Sequence, residues 1–293
     1  MDCKIECIFE GICHLAEGPL WDAGQQKLYW TDVFNKRIWQ FSPSTGKNSI
    51  FWEGDLMVGG FAFTRDGAMV LCDEDGVYIL KDGGLKQIYD IPALPGEMFN
   101  DITTDPKGRI FAGTVRRPGG EGCLYRLERG KPPVKVIEDT LFSNGMTFSL
   151  DCKTFFHTNS GRRQVTAYDY DIRTGDISNP RIFFQGTEEQ GFPDGLTLDS
   201  EDHIWQAFWG AGLVRRLSPS GKIVYEIQIP ARQPSSVMFG GEKLNHLYIT
   251  TACEGGTDLN TGMDEKKGIF LGGKVYRCIM NVHGREEWFA DFR

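Results

Sequence analysis

The sequence predicts an all-β fold, a six-bladed β-propeller with four-stranded blades around a central channel. Three observations carry this. A turn-like start recurs six times, short strand-like runs follow each start, and no segment keeps a helical period over about twelve residues. A repeat of four short strands has two faces to cover, and stacking such units in a ring covers them.

The starts are Glu17-Gly18-Pro19, Gly59-Gly60-Phe61, Asn100-Asp101-Ile102, Asn144-Gly145-Met146, Asp194-Gly195-Leu196 and Ser235-Ser236-Val237. They lie roughly 40 to 50 residues apart, the period of a propeller blade. Second runs follow at 27–30, 68–71, 109–112, 154–157, 203–206 and 247–250. Third runs follow at 37–41, 76–80, 123–127, 165–169, 213–217 and 274–277, and fourth runs are clear at 49–52, 134–137 and 223–226. Clusters such as Pro43-Ser44-Thr45-Gly46 and Arg173-Thr174-Gly175-Asp176 stand where hairpins need turns. A β-sandwich does not require six aligned starts. The ring needs closing, and the run 4–9 is expected to pair with the last blade, in competition with the tail 286–290. The whole chain, 1–293, is read as one domain.

Composition narrows the function. The net charge is −8, from 32 basic and 40 acidic residues. Neither a nucleic acid nor an anionic membrane surface is expected as partner, since both call for a basic footprint. The first residues carry charges and lack the apolar core of a signal peptide, and no apolar run is long enough to span a bilayer. The eight cysteines show no paired short spacings. Reduced thiols in a cytoplasmic protein are therefore expected, as a monomer or weak homodimer.

The residue opening each first strand is expected at one mouth of the channel. The six are Glu17, Gly59, Asn100, Asn144, Asp194 and Ser235. Two carboxylates and two carboxamides offer oxygen ligands suited to calcium, magnesium or manganese, and the lack of thiolate or imidazole disfavours structural zinc. Asp and Asn before Gly also occur in turns for local reasons; the shared register sets these six apart. Asp101 either joins the set or bonds nearby loop backbone. His157 ends a second strand and is read mainly as packed or solvated. Trp205, Phe208 and Trp209 read as blade packing, with the mouth as the alternative for Trp209, and Arg116 and Arg117 read as solvated loop residues, with that same mouth as the alternative. No nucleophile elbow or phosphate-binding glycine loop is present.

The segments Ala16-Glu17-Gly18-Pro19-Leu20-Trp21, Phe99-Asn100-Asp101, Ser143-Asn144-Gly145, Ser149-Leu150-Asp151, Pro193-Asp194-Gly195 and Phe239-Gly240-Gly241 together resemble the gluconolactonase, regucalcin and luciferin-regenerating-enzyme family. The resemblance spans roughly residues 14 to 278. It implies one divalent metal ion, calcium first, with zinc, magnesium or manganese as alternatives. Glu17, Asn144 and Asp194 match the metal ligands, Asp194 being also the catalytic residue. Asn100 matches a further asparagine that contacts substrate or completes the metal shell. The implied reaction is hydrolysis of a lactone, typically of a sugar acid. Two positions depart from the pattern. Met98 stands where sugar-lactonase members carry an arginine, and Arg117 and Pro118 stand near the place of a family glutamate. Met98 and Arg117 are accordingly the expected substrate-side residues that differ, and Arg116 and Arg117 together would favour an anionic group on the substrate.

Overall fold

The alternating apolar runs and their glycine-rich turns build antiparallel hairpins in chain order. A computed structural model describes residues 3–74, 76–90, 97–116, 122–253, 263–264, 269–270 and 272–292. Those residues form six four-stranded sheets, the blades of a β-propeller, with two short 3-10 turns and no α-helix. In blades 1 to 5 the four strands pair in sequence order. Fourth strands also form at Gly84–Asp90 and Asp176–Gln185, where alternation in the sequence is too weak to mark them. A two-stranded ribbon, Met263–Asp264 with Ile269–Phe270, lies outside the repeat pattern. No helix among the described residues is long and apolar enough to cross a membrane. All eight cysteines are free thiols.

Blade 6 takes strands from both ends of the chain. Its order is Ile5–Phe9, Val275–Ile279, His246–Thr251, Pro234–Gly240. The expected closure by the N-terminal run is therefore found, with Ile5 opposite Cys278 and Cys7 opposite Tyr276. The competing tail goes elsewhere. Ala290 forms a parallel bridge to Thr64 and donates its N–H to the Phe63 carbonyl at 2.8 Å.

The blades fall into two compact units, Met1–Asp55 with Gly186–Glu286, and Leu56–Gln185 with Glu287–Arg293. In the first unit, Trp205, Val237, Phe239 and Ile249 form one buried cluster, and Phe9, Trp21, Trp30 and Tyr248 another. In the second, Val70, Phe99, Ala112 and Tyr125 pack with Ala290 and Phe292 of the tail, and Phe111, Phe148, Phe155 and Tyr170 receive Trp288. Large aromatic side chains thus fill the spaces between sheets, as close packing demands.

The turns between first and second strands are tied by side chains. Asp105 Oδ1 accepts the backbone N–H groups of Lys107 and Arg109, and its Oδ2 accepts from Tyr170 Oη and Arg109 Nε. Asp199 repeats the device: Oδ1 takes the N–H of Glu201 and His203, and Oδ2 takes Trp205 Nε1 and Arg216 Nε, each at 2.8 Å. Thr64 and Ser149 do the same with a hydroxyl. These buried carboxylates are committed to structure.

The N-terminal strand makes a direct test of closure. Phe9 is buried, with its ring 5.3 Å from that of Trp30 and 4.9 Å from that of Trp39. Phe9→Ala is expected to lower stability by about 3–5 kcal/mol in equilibrium urea unfolding. A loss below about 1 kcal/mol would show that this strand contributes little.

Candidate functional site

Five of the six first strands carry a register shift at the position singled out in the sequence. Glu17 pairs with Thr31 but Leu20 with Tyr29; Phe99 pairs with Thr114 but Ile102 with Ala112. Asn144 pairs with Thr158 and Met146 with His157; Pro193 pairs with Phe208 and Leu196 with Gln206; Pro234 pairs with Thr251 and Ser236 with Thr250. In each case the first strand holds one extra residue. Such a bulge turns side chains out of the regular alternation and ends the ladder locally. The strand Gly60–Phe63 of blade 2 pairs without a shift.

In the first unit, Glu17, Ser235 and Asp194 occupy neighbouring strands. Gly18 has φ 51°, and its N–H lies 3.3 Å from Glu17 Oε2. Ser235 Oγ donates to the carbonyl of Ala16 at 2.6 Å. On the other side, Ser236 lies against Gly195 so closely that a Cβ on residue 195 would strike the Ser236 hydroxyl. The strand Pro234–Gly240 therefore touches one neighbour of each carboxylate residue. Asp194 is 6% exposed, and its backbone carbonyl accepts from Gln206 Nε2 at 3.0 Å.

In the second unit, Gly59, Asn100 and Asn144 show the same neighbour relation. A Cβ at Gly59 would collide with the Phe99 carbonyl and the Asn100 backbone, so only glycine fits there. Asn100 Nδ2 donates to the Ser143 carbonyl at 3.0 Å and to Asn144 Oδ1 at 2.7 Å. Asn144, 8% exposed, donates its own Nδ2 to Ser160 Oγ at 2.8 Å. Both N–H bonds of Asn100 are thereby used.

Asp101 bonds its own strand: the Ile102 N–H donates to its Oδ1 at 2.8 Å. Burial of the carboxyl raises its pKa to about 7, and that one hydrogen bond only partly opposes the rise. His157 is packed, with Nε2 2.7 Å from Ser143 Oγ; burial lowers its pKa to about 3, so it stays neutral at working pH.

Met98 is half-buried on the first strand of blade 3, in register with Val115. Arg117 and Pro118 lie outside the described residues, and Arg116 is described only by its backbone pairing with Glu97. Trp205 and Phe208 are fully buried. Trp209 is half-buried and stands opposite Phe192 at the opening of the strand that carries Asp194. Sequence reasoning missed Ser143, Ser160 and Ser236, whose roles arise only from contacts between strands far apart in the chain. Among the described residues no three His, Cys, Asp or Glu side chains gather as a metal-binding group.

A propeller whose blades begin with these bulged acidic and amide positions defines the class, and comparison with known proteins gives the family. Residues 15–253 match the SMP-30/Gluconolactonase/LRE-like region, and the chain belongs to that family. It is 33% identical to the pentonolactonase XacC of Haloferax volcanii over 282 residues, covering 96% of each chain. It is 31% identical to regucalcin of Xenopus laevis, covering 94% of this chain and 93% of that one. Among solved structures, it resembles the calcium-binding protein regucalcin of Agrobacterium tumefaciens with a TM-score of 0.91 and 25% identity, covering 99% and 98% of the two chains.

The raised pKa of Asp101 has a consequence for stability. Between the ordinary carboxylate value, near 3.8, and about 7, the folded protein holds a proton that the unfolded chain has released. Stability is then full below that window and falls as pH rises through it. In urea unfolding with chelator present, Asp101→Asn is expected to gain on the wild type between about pH 4 and pH 7. His157 contributes with the opposite sign in both proteins and cancels from the comparison. Equal pH slopes would contradict the assignment to Asp101.

Proposed function

We propose that this protein is a divalent-metal-dependent lactonase acting on a hydroxylated, sugar-acid-type lactone. The observation that carries the reading is the common placement of Glu17, Asn144 and Asp194, each at the bulge of a first strand. Family membership and the lactonase activity named for the Haloferax volcanii relative support it.

The donor set fits a hard cation. Two carboxylates and one carboxamide are oxygen donors, and the neutral amide leaves more net positive charge on the ion than an all-carboxylate set would. Glu17, Asn144 and Asp194 would hold the ion, calcium first. When bound, a divalent ion supplies Lewis-acid polarisation of the lactone carbonyl and eases deprotonation of water. Asp194 accepts a proton from the attacking water. Oxygen adds to the carbonyl carbon, the ring C–O bond breaks, and the leaving oxygen takes up a proton to give a hydroxy acid. That product ionises and releases acid. Asn100 accepts from a substrate hydroxyl through its carbonyl oxygen. Met98 offers no donor where an arginine would grip the sugar, and Arg117 is assigned to an anionic substituent. The free thiols favour a reducing, cytoplasmic setting.

A second reading, a calcium-binding platform without catalysis, is favoured by Met98 and by the name of the Agrobacterium tumefaciens structure. Acid release from a panel of lactones, with and without added divalent ions, separates the two. The lactonase is expected to respond to at least one hydroxylated lactone. Asp194→Ala and Glu17→Gln are expected to lose ion binding and hydrolysis together. Undiminished hydrolysis after exhaustive chelation would sink the metal role, and a flat panel with stoichiometric calcium binding would favour the platform.

Asn100→Ala also removes the bond to Asn144 Oδ1, so it is expected to lower kcat/KM on every lactone, and about tenfold further on the best hydroxylated lactone than on the matching deoxy-lactone, the scale of one neutral hydrogen bond. Equal losses on both would refute a hydroxyl contact at Asn100.

A further inference from the structure

The hydrogen bonds around Asn144 have a fixed direction. At one end stands the Ser143 carbonyl, which can only accept. The Asn100 atom 3.0 Å from it is therefore Nδ2, and the Asn144 atom 2.7 Å from that same Nδ2 must be the acceptor Oδ1. The NH2 group of Asn144 then faces Ser160 Oγ at 2.8 Å. Turning the Asn144 amide over would set two NH2 groups against each other. Donation thus runs from Asn100 to Asn144 to Ser160.

Ser160 is itself held from its backbone. It opens the 3-10 turn Ser160–Arg162, its N–H donates to the Phe142 carbonyl at 3.0 Å, and its carbonyl accepts the Arg163 N–H at 2.9 Å. Arg163 closes the turn with φ 50°. The start of the chain of bonds is equally fixed. Ser143 Oγ is bonded to His157, and Gly113 lies so close that a Cβ there would strike that hydroxyl.

We infer that Ser160 is a positioning residue that locks the Asn144 carboxamide with Oδ1 turned toward the cation. The inference rests on the reading of Asn144 as a metal ligand. The torsion that turns an asparagine amide has two broad wells; Asn100 opposes the turned one from the Oδ1 side and Ser160 from the Nδ2 side, so loss of the Ser160 hydroxyl removes one of two restraints. Loss of such a supporting contact typically weakens metal binding by about 10- to 100-fold.

The test is calorimetric titration of the chelator-stripped full-length protein with calcium and with manganese, using wild type, Ser160→Ala, Ser160→Thr and Asn144→Ala. Near-ultraviolet circular dichroism checks that each is folded. Ser160→Ala is expected to bind about tenfold more weakly, and Ser160→Thr, which keeps the hydroxyl, to recover most of the loss. If Ser160→Ala does not fold, Ser160→Cys takes its place, since sulfur accepts poorly, and the same weakening is expected. Wild-type affinity in Ser160→Ala, with binding lost in Asn144→Ala, overturns the role of Ser160 alone. Wild-type affinity in Asn144→Ala, or no binding of either ion to the wild type, overturns the ligand reading and this inference with it.

Discussion

One extra residue in a strand governs the placement of the polar groups that open the blades. A regular first strand alternates strictly between its two faces. The shifts at Glu17/Leu20, Phe99/Ile102, Asn144/Met146, Pro193/Leu196 and Pro234/Ser236 break that rule once in each of five blades. Downstream of each shift the ladder resumes and the apolar residues return to the packed faces. A polar side chain at a bulge can thus stand outside the alternation without costing the blade its core.

Two aspartates near the opposite ends of one strand show how much context decides. Asp194 and Asp199 lie five residues apart, both buried. Asp199 receives two backbone N–H groups, an indole N–H and a guanidinium, and so completes a turn and a sheet contact. Asp194 stands at the bulge, with a backbone carbonyl anchored by Gln206. The first is an architectural group; the second is the one to which a role in chemistry is proposed.

Much of this is legible in the sequence. The six starts, the strand order and the closing role of the N-terminal run follow from period and alternation, because covering the faces of a short sheet leaves few arrangements. The positions Glu17, Asn100, Asn144 and Asp194 are legible as a register. What is not legible depends on pairing between distant segments. Ser160 reads locally as a turn residue in Asn159-Ser160-Gly161, and nothing nearby reveals that its hydroxyl receives an amide from residue 144. His157 likewise gives no sign that it ends beside Ser143. The bulges escape detection because an extra residue is visible only against its partner strand.

The tail segment makes a separate point. Trp288 meets Phe148, Ala290 bonds Phe63, the Asp291 N–H reaches the Gly108 carbonyl, and Phe292 is buried with Val77 and Tyr125. A unit assembled from residues 56–185 therefore keeps an open seam while the next hundred residues are being made. During synthesis that seam exposes apolar surface for several seconds at ordinary elongation rates of about 5–20 residues per second. Packing of this unit is therefore complete only once the segment from Glu287 onward has been made and laid against it.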